Sequence, residues 1–93
     1  MIRINCFISV EEGKKNLVLE AAKRLTDASL KQDGCIAYDI FESSTRDPVM
    51  MICETWADQS ALDAHSVSDV FKKEVGIITE NASLKIESFE MKK

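Results

Sequence analysis

The segment from residue 49 to residue 57, VMMICETWA, constrains the fold of this chain more than any other. It has the composition of a strand, and its side chains are apolar on both faces. Alternation assigns Val49, Met51 and Cys53 to one face, and Met50, Ile52, Glu54 and Trp56 to the other. A strand that is apolar on both sides has to be covered on both sides. We therefore expect it in the interior of a sheet whose two faces are buried.

The remaining patterns predict three more strands and three helices. The strands are expected at residues 2–9, 35–43, 49–57 and 84–91, and the helices at residues 11–31, 59–65 and 69–80. Ser9 and Glu12 have the spacing of a capping box at the first helix, and Gly34 is expected to end that helix with a positive φ. Asp58 and Ser68 are predicted to cap the two later helices.

This order of elements is the βαββαβ arrangement of the ferredoxin-like α+β fold, over one domain of residues 1–93. Its four-stranded antiparallel sheet has the first and third strands at the centre. The predicted helices can cover only one face of such a sheet. Because the central strands are apolar on both faces, we expect a homodimer in which two sheets meet face to face.

The helix patterns also predict which residues are buried and which are paired. The apolar stripe of the first helix is Val18, Ala21, Ala22, Leu25 and Ala28, and that of the third helix is Val70, Phe71, Val75 and Ile78. Glu20 and Arg24 have the i,i+4 spacing of an ion pair on the solvent face of the first helix.

Composition excludes several classes of partner. A net charge of -4 with a pI near 4.9, and no basic run beyond lysine pairs, predict that the chain does not bind nucleic acid. No apolar run reaches the roughly 20 residues that span a bilayer, and the N-terminus has no signal architecture. We therefore expect a cytoplasmic protein with no membrane contact.

Three cysteines, Cys6, Cys35 and Cys53, lie inside predicted strands and form no CxxC pair. We expect them to be small buried residues that stay reduced, and we expect no metal site.

The only tryptophan and the only histidine lie close together after the third strand. Trp56 is either a plug in a thin core or one wall of a pocket for an aromatic ligand. His65 lies near the end of a short helix, where its ring could bond a backbone carbonyl. Alternatively, it could serve as a pocket acid or base, since its ordinary pKa is near 6.5.

Three further polar residues are candidates for a site. Asn5 is an amide on a central strand and needs hydrogen-bond partners if it is buried, so it could hold an oxygen atom of a ligand. Glu54 shares a face with Trp56 and could act as a base if burial raises its pKa, or it could be only a charge. Tyr38 could form another polar wall. Nucleophile, zinc and dinucleotide motifs are absent from the sequence.

Several short segments, in this order and spacing, resemble the antibiotic biosynthesis monooxygenase domain. They are DGCIAYDIF at residues 33–41, the ETW that ends the third strand, ALDAH at residues 61–65 and SDVF at residues 68–71. The resemblance extends from Asn5 to Phe89. It implies a ferredoxin-like protomer in a dimeric α+β barrel, with a pocket between sheet and helices. Members of this family include cofactor-independent monooxygenases, haem-degrading proteins and an isomerase of a phosphorylated signal.

The resemblance also implies roles for individual residues. Asn5 and Trp56 match pocket positions of the haem-degrading members, whose haem-ligating histidine would fall near Val75, where this chain has no histidine. His65 matches the common histidine of the short helix, and Phe71 matches an aromatic wall of the pocket. We expect no haem degradation by that route and no cofactor.

The resemblance implies a monooxygenase that oxidises a small phenolic or quinol-type aromatic substrate with dioxygen. Its catalytic candidates are Asn5, Trp56 and His65, and its substrate-binding candidates are Tyr38, Glu54 and Phe71. His65 or Glu54 would accept the phenol proton. Two alternatives stay open. One is an isomerase or other non-redox enzyme, with Arg3, Lys31 and Arg46 as candidate phosphate contacts, and the other is a binding module without turnover.

Overall fold

The computed structural model describes residues 1–92. Its elements are β1 (Ile2–Val10), α1 (Lys15–Ser29), β2 (Cys35–Glu42), β3 (Val49–Trp56), α2 (Gln59–Ser66), α3 (Asp69–Asn81) and β4 (Ala82–Glu90). This order confirms the predicted ferredoxin-like arrangement, with α2 as the short helix before α3. None of the helices in residues 1–92 is long and apolar enough to cross a membrane.

The four strands form one antiparallel sheet in the order β2-β3-β1-β4. As predicted, β1 and β3 are central, and β2 and β4 form the edges. In the register, Ile52 of β3 lies opposite Cys6 of β1, which in turn lies opposite Ile86 of β4. The pleat therefore directs these three side chains to the same face of the sheet.

The core lies between this face of the sheet and the helices. It contains buried side chains from β1 and β3 and from one stripe of α1: Cys6, Ile8, Val10, Met50, Ile52, Trp56, Val18, Ala21, Ala22 and Leu25. The small side chains of Ala21 and Ala22 are fully buried, which lets the helix backbone pack close to the sheet. Of the expected α3 stripe, only Ile78 is fully buried.

The start of α1 differs from the prediction by four residues. Ser9 stays in the sheet opposite Val49, and the backbone N–H of Glu11 bonds the carbonyl of Asn81 at 3.0 Å. Gly13 then adopts a φ of +79°, and the helix begins at Lys15 without a side-chain cap. The predicted capping box of Ser9 and Glu12 was wrong because strand pairing holds residue 9 in the extended conformation.

The turn between α1 and β2 packs directly against α2. Gly34 has the predicted positive φ, +81°, but it does not end the helix, because α1 ends at Ser29 with Leu30 as its C-cap. A Cβ built at Gly34 would lie only 2.4 Å from the Cβ of Ala61. The side chains of Asp58 and Ser68 accept hydrogen bonds from the N–H groups of Ala61 and Phe71, which confirms both predicted caps. The close approach of Gly34 to Ala61 places α2 directly against the turn, and the two caps determine where α2 and α3 begin.

An ion pair joins α1 to α3. Arg24 does not pair with Glu20, as the i,i+4 spacing predicted. Its Nε donates to Oε2 of Glu74 at 2.8 Å, and its Nη2 donates to Oε1 at 3.1 Å. The carboxylate of Glu74 is almost completely buried, whereas the side chain of Arg24 is about half exposed. Tertiary packing therefore decides which carboxylate the guanidinium binds.

The other face of the sheet has no helix on it among the described residues. One row across this face runs through Phe41, Met51, Phe7 and Lys85, and the next runs through Asp39, Cys53, Asn5 and Glu87. Phe41 and Phe89 are 50% and 49% exposed. The two-sided character predicted for the central strands thus produces an apolar band on the helix-free face.

Candidate ligand-binding pocket

A cavity of about 210 Å³ lies between the sheet and the helices. Its walls come from β1, β2, β3 and β4 and from all three helices, and most of the lining side chains are apolar. The polar atoms on the walls belong to Cys6, Tyr38, Glu54, His65 and Ser66. A largely apolar concave space with a few polar groups is typical of a small-molecule site.

Glu54 lies on the helix side of β3, between Ile52 and Trp56 in the alternation. Only 6% of the residue is exposed. Its Oε1 accepts a hydrogen bond from the indole Nε1 of Trp56 at 2.8 Å. Burial raises the pKa of Glu54 above its usual value, and the indole N–H partly opposes this by stabilising the charged form.

His65 occupies the last turn of α2 and is 2% exposed. Its Nδ1 lies 2.7 Å from Oε1 of Gln32, a residue in the turn between α1 and β2. The ring therefore bonds a side-chain amide and not a backbone carbonyl. Nε2 is buried without a hydrogen-bond partner and lies 3.9 Å from Oε1 of Glu54. Burial lowers the pKa of His65 to about 4, so the ring is neutral at neutral pH.

Aromatic rings surround the imidazole of His65. Trp56 lies 4.5 Å away between centroids in a tilted arrangement, and Phe71 and Tyr38 meet it edge-on at 5.0 and 5.6 Å. These contacts restrict the rotation of the ring, since edge-on and offset aromatic pairs are favourable geometries. His65 is therefore held from several sides with Nε2 next to Glu54.

Tyr38 comes from β2, directly opposite Glu54 in the register. The residue is buried, and burial raises the pKa of its phenol, with the nearby Glu54 adding to the effect. The phenol is consequently protonated across the physiological range, and the residue forms part of the cavity wall.

The structure brings together five of the six residues named from the sequence, but their positions differ. Tyr38, Glu54, His65 and Phe71 line the cavity. Trp56 is fully buried behind them and contacts both Glu54 and His65. Its place in the core agrees with the first of the two roles considered for it, and it positions two residues of the pocket wall without lining the cavity itself.

Asn5 does not reach the cavity, which corrects the expectation that it joins Trp56 and His65 there. It pairs with Cys53 in the register of β1 and β3, on the helix-free face. There its Oδ1 accepts a hydrogen bond from Sγ of Cys53 at 3.4 Å, and the guanidinium of Arg3 also contacts this sulfur. The two neighbours of Asn5 on β1, Ile4 and Cys6, are side chains that line the cavity.

Two residues at the site were missed from the sequence. Cys6 could have been found from its alternation with Ile4 and Ile8, which also line the cavity. Burial and the charge of Glu54 raise the pKa of its thiol to about 11. Gln32 lies in a turn and has no sequence signal. Contrary to expectation, Cys35 and Cys53 are only half-buried, although all three cysteines are free.

The cationic residues considered for phosphate binding do not line the cavity. Arg3 lies on the helix-free face, and Lys31 and Arg46 are exposed. Val75, near which the resemblance placed a haem-ligating histidine of some family members, is an apolar part of the cavity wall. Within residues 1–92, no three His, Cys, Asp or Glu side chains form a cluster that could hold a metal ion.

Fold and cavity together define a small-molecule-binding domain of the ferredoxin-like class. The sequence model of the antibiotic biosynthesis monooxygenase family matches residues 1–75, and the chain belongs to this family.

Three known proteins show how far the likeness extends. A conserved Bacteroides thetaiotaomicron protein of unknown function, described as a possible oxidoreductase, is 53% identical to this chain. The two structures match with a TM-score of 0.94, and the match covers 97% of this chain and 96% of the Bacteroides protein. The uncharacterised protein sll1783 of Synechocystis is 28% identical over 83 residues, which cover 85% of this chain and 56% of that protein. This chain thus spans little more than half the length of sll1783.

SnoaB, a cofactor-independent oxygenase from Streptomyces nogalater, shares the fold with a TM-score of 0.87 at 12% identity. The structural match covers 99% of this chain and 93% of SnoaB.

Proposed function

We propose that this protein is a cofactor-independent monooxygenase that oxidises a small phenolic or quinol-type aromatic compound with dioxygen. The observation that carries this proposal is the pair of Glu54 and His65. These are two buried groups that can exchange protons, 3.9 Å apart, on the wall of an otherwise apolar cavity. Membership in the family supports an oxygenase, and the cofactor-independent oxygenase SnoaB shares the fold.

The substrate supplies all four electrons in this reaction. Glu54 or His65 accepts the hydroxyl proton, and the phenolate transfers one electron to dioxygen. The resulting radicals combine to form a C–O bond. The peroxide anion then takes the hydroxyl proton back from the base. Loss of the ring proton cleaves the O–O bond, so that one oxygen atom remains as a new carbonyl and the other leaves as hydroxide, which takes up the ring proton and becomes water. A quinol plus O₂ thus gives a hydroxyquinone plus H₂O.

The protein contributes orientation, removal of water and proton transfer to this chemistry. Tyr38 and Phe71 would contact the substrate ring, and His65 and Glu54 would contact its hydroxyl group. Trp56 acts as a positioning residue, because its indole ring is fully buried and holds Glu54 and His65 in place. Asn5 is left out of this set because it lies on the opposite face of the sheet.

Oxygen uptake with a panel of phenols and hydroquinones tests the proposal. We expect one O₂ consumed per substrate, one ¹⁸O atom from ¹⁸O₂ in the quinone product, and no turnover without oxygen. Glu54→Gln and His65→Ala should each reduce turnover by about 10²-fold, whereas Asn5→Ala should retain it. Binding of the panel without oxygen uptake would instead support a binding module.

An isomerase of a phosphorylated compound is the weaker alternative. Phosphate recognition uses Lys, Arg or clustered backbone N–H groups. The described residues that line the cavity include neither lysine nor arginine. An uncharged aromatic ligand suits these walls better.

We further infer that the functional unit is a homodimer formed through the helix-free face. This face carries the apolar row of Phe41, Met51 and Phe7. It also carries charges of both signs, with Arg3 and Lys85 against Asp39 and Glu87. A surface that holds both signs can complement a second copy across a two-fold axis.

Sedimentation at micromolar concentration tests the dimer. We expect twice the protomer mass of 10.4 kDa. Phe41→Asp should shift the protein to a monomer, since it places a charge in the proposed interface. Leu17→Asp is the matched control, because Leu17 is similarly exposed but lies on α1. A wild-type monomer, or equal effects of both substitutions, would contradict the inference.

A further inference from the structure

The hydrogen bond between Gln32 and His65 determines which ring nitrogen carries the proton. Nδ1 of His65 faces Oε1 of Gln32 at 2.7 Å. An amide oxygen only accepts hydrogen bonds, so Nδ1 must be the donor. The neutral imidazole has one N–H, which leaves a lone pair on Nε2.

This assignment leaves two acceptors facing each other in the pocket. Nε2 is buried and has no hydrogen-bond partner, and the nearest carboxylate oxygen, Oε1 of Glu54, is 3.9 Å away. While Glu54 is ionised, neither atom can donate a hydrogen bond to the other. A ligand hydroxyl can donate a linear hydrogen bond to only one of the two atoms, because it has a single hydrogen. Oε1 of Glu54 already accepts from the indole of Trp56, so Nε2 of His65 is the acceptor that lacks a donor.

The size of the cavity limits what can carry that donor. A dry cavity of about 150 Å³ holds one benzene molecule in another protein. At about 210 Å³, this cavity has room for one ring and a few substituents.

We propose that Gln32 is a positioning residue that fixes His65 with its proton on Nδ1. The cavity then recognises a single-ring ligand through one hydroxyl group that donates to Nε2 of His65, next to the carboxylate of Glu54. This inference rests on the proposed function, because it specifies the substrate class of the same site. It assigns a role to a turn residue that has no contact with the reacting atoms.

The turn itself does not depend on the Gln32 side chain. The backbone N–H of Gln32 bonds the carbonyl of Ser29 at 3.0 Å, and its carbonyl accepts from the N–H of Cys35 at 3.2 Å. Substitution of the side chain therefore changes the partner of His65 and leaves the backbone bonds of the turn in place.

Nitrogen-15 NMR of the imidazole tests the tautomer directly, since His65 is the only histidine. We expect the wild-type protein to carry the proton on Nδ1. Gln32→Leu should shift the population toward Nε2–H, because the Nδ1 acceptor is lost. Gln32→Glu keeps an acceptor and should preserve the wild-type tautomer. A wild-type proton on Nε2, or identical spectra for wild type and Gln32→Leu, would overturn the inference.

Ligand selection is tested in the same spectra with phenol, its methyl ether anisole and the two-ring 1-naphthol. We expect phenol to bind about tenfold more tightly than anisole, the ratio expected for one hydrogen bond, and 1-naphthol to bind more weakly than phenol. Equal affinities for phenol and anisole would refute the hydrogen bond from the ligand hydroxyl to Nε2 of His65.

These measurements are made without oxygen and do not depend on turnover. Absence of oxygen uptake would therefore refute the proposed reaction alone, whereas the wrong tautomer would refute the positioning role alone.

Discussion

The indole Nε1 of Trp56 donates to Oε1 of Glu54 at 2.8 Å, two residues back along the same strand face. This bond explains how a carboxyl group is accommodated in the core of a small protein. A buried acid without a donor would carry the full cost of desolvation. The tryptophan stabilises the polar group of the pocket and supports the pocket wall at the same time.

A double-mutant cycle with Trp56→Phe and Glu54→Gln should therefore reveal coupling. Hydrogen bonds to charged groups are worth about 1.5–3 kcal/mol. We expect Trp56→Phe to lower the free energy of unfolding more in the wild-type background than in Glu54→Gln, with a difference near 1.5 kcal/mol. Urea unfolding at pH 7 measures the four proteins, and additive effects would argue against an energetic role for the bond.

The stability of the protein should depend on pH through His65. Its pKa is about 4 in the folded protein and near 6.5 in the unfolded chain. Between these values the unfolded state binds more protons, so stability falls as the pH is lowered from 6.5 to 4. Over this pH range, the protonation of His65 should lower the free energy of unfolding by about 3 kcal/mol.

The control for this prediction is His65→Phe, which keeps an aromatic ring and removes the titration. Urea unfolding from pH 4 to pH 7 should give a smaller pH dependence in this variant. Other groups that titrate in this range, including Glu54 with its opposite slope, are present in both proteins. Equal slopes would show that burial does not depress the pKa of His65.

The ion pair between Arg24 and Glu74 should contribute to the stability of the fold, because the carboxylate of Glu74 is buried. Arg24→Met leaves the carboxylate of Glu74, which is 2% exposed, without its partner. We expect a loss of about 2 kcal/mol, below the full cost of breaking a buried pair because Arg24 is half exposed. The double substitution Arg24→Met/Glu74→Met should be more stable than Arg24→Met alone. Thermal or chemical unfolding tests that order.

Gly34 and Gly13 form a matched pair for testing the packing of α2. Both have a positive φ, near +80°, but only Gly34 has a neighbour within 4 Å of the position of a Cβ atom. Alanine at residue 13 should cost about 1 kcal/mol for the backbone alone. Alanine at residue 34 should cost a further 1–3 kcal/mol, because its Cβ would collide with Ala61.

The Gly34→Ala variant should also disturb the pocket, since the same turn holds Gln32 against His65. Unfolding curves give the stability, and the imidazole ¹⁵N signals report on the contact. If both glycine variants lost equal stability, the close approach of the turn to α2 would have no energetic consequence.

Most of the fold could be predicted from local patterns. Alternation located the strands to within about two residues, and the caps at Asp58 and Ser68 were correct. These signals succeed because the period of the side chains and the need to cap a helix are properties of short segments. The capping box at Ser9 failed for the converse reason, since pairing with a distant strand overrode a local preference.

The candidate site was predicted less completely. The sequence grouped Trp56, His65 and Glu54 because they are close along the chain. Asn5 was assigned to the same pocket, but the register places it opposite Cys53, on the other face. Register is fixed by the pairing of whole strands, and a change of one residue moves a side chain to the opposite face.

The sequence by itself therefore determined the order of the elements, the two-sided character of the central strands and the presence of a tryptophan, a histidine and a glutamate near one junction. Only the tertiary structure decided that Gln32 binds His65 across 33 residues and that Arg24 binds Glu74 across 50. The physical reason is that local periodicity sets which way a side chain points within its own element. Its partner depends on which other element is packed there.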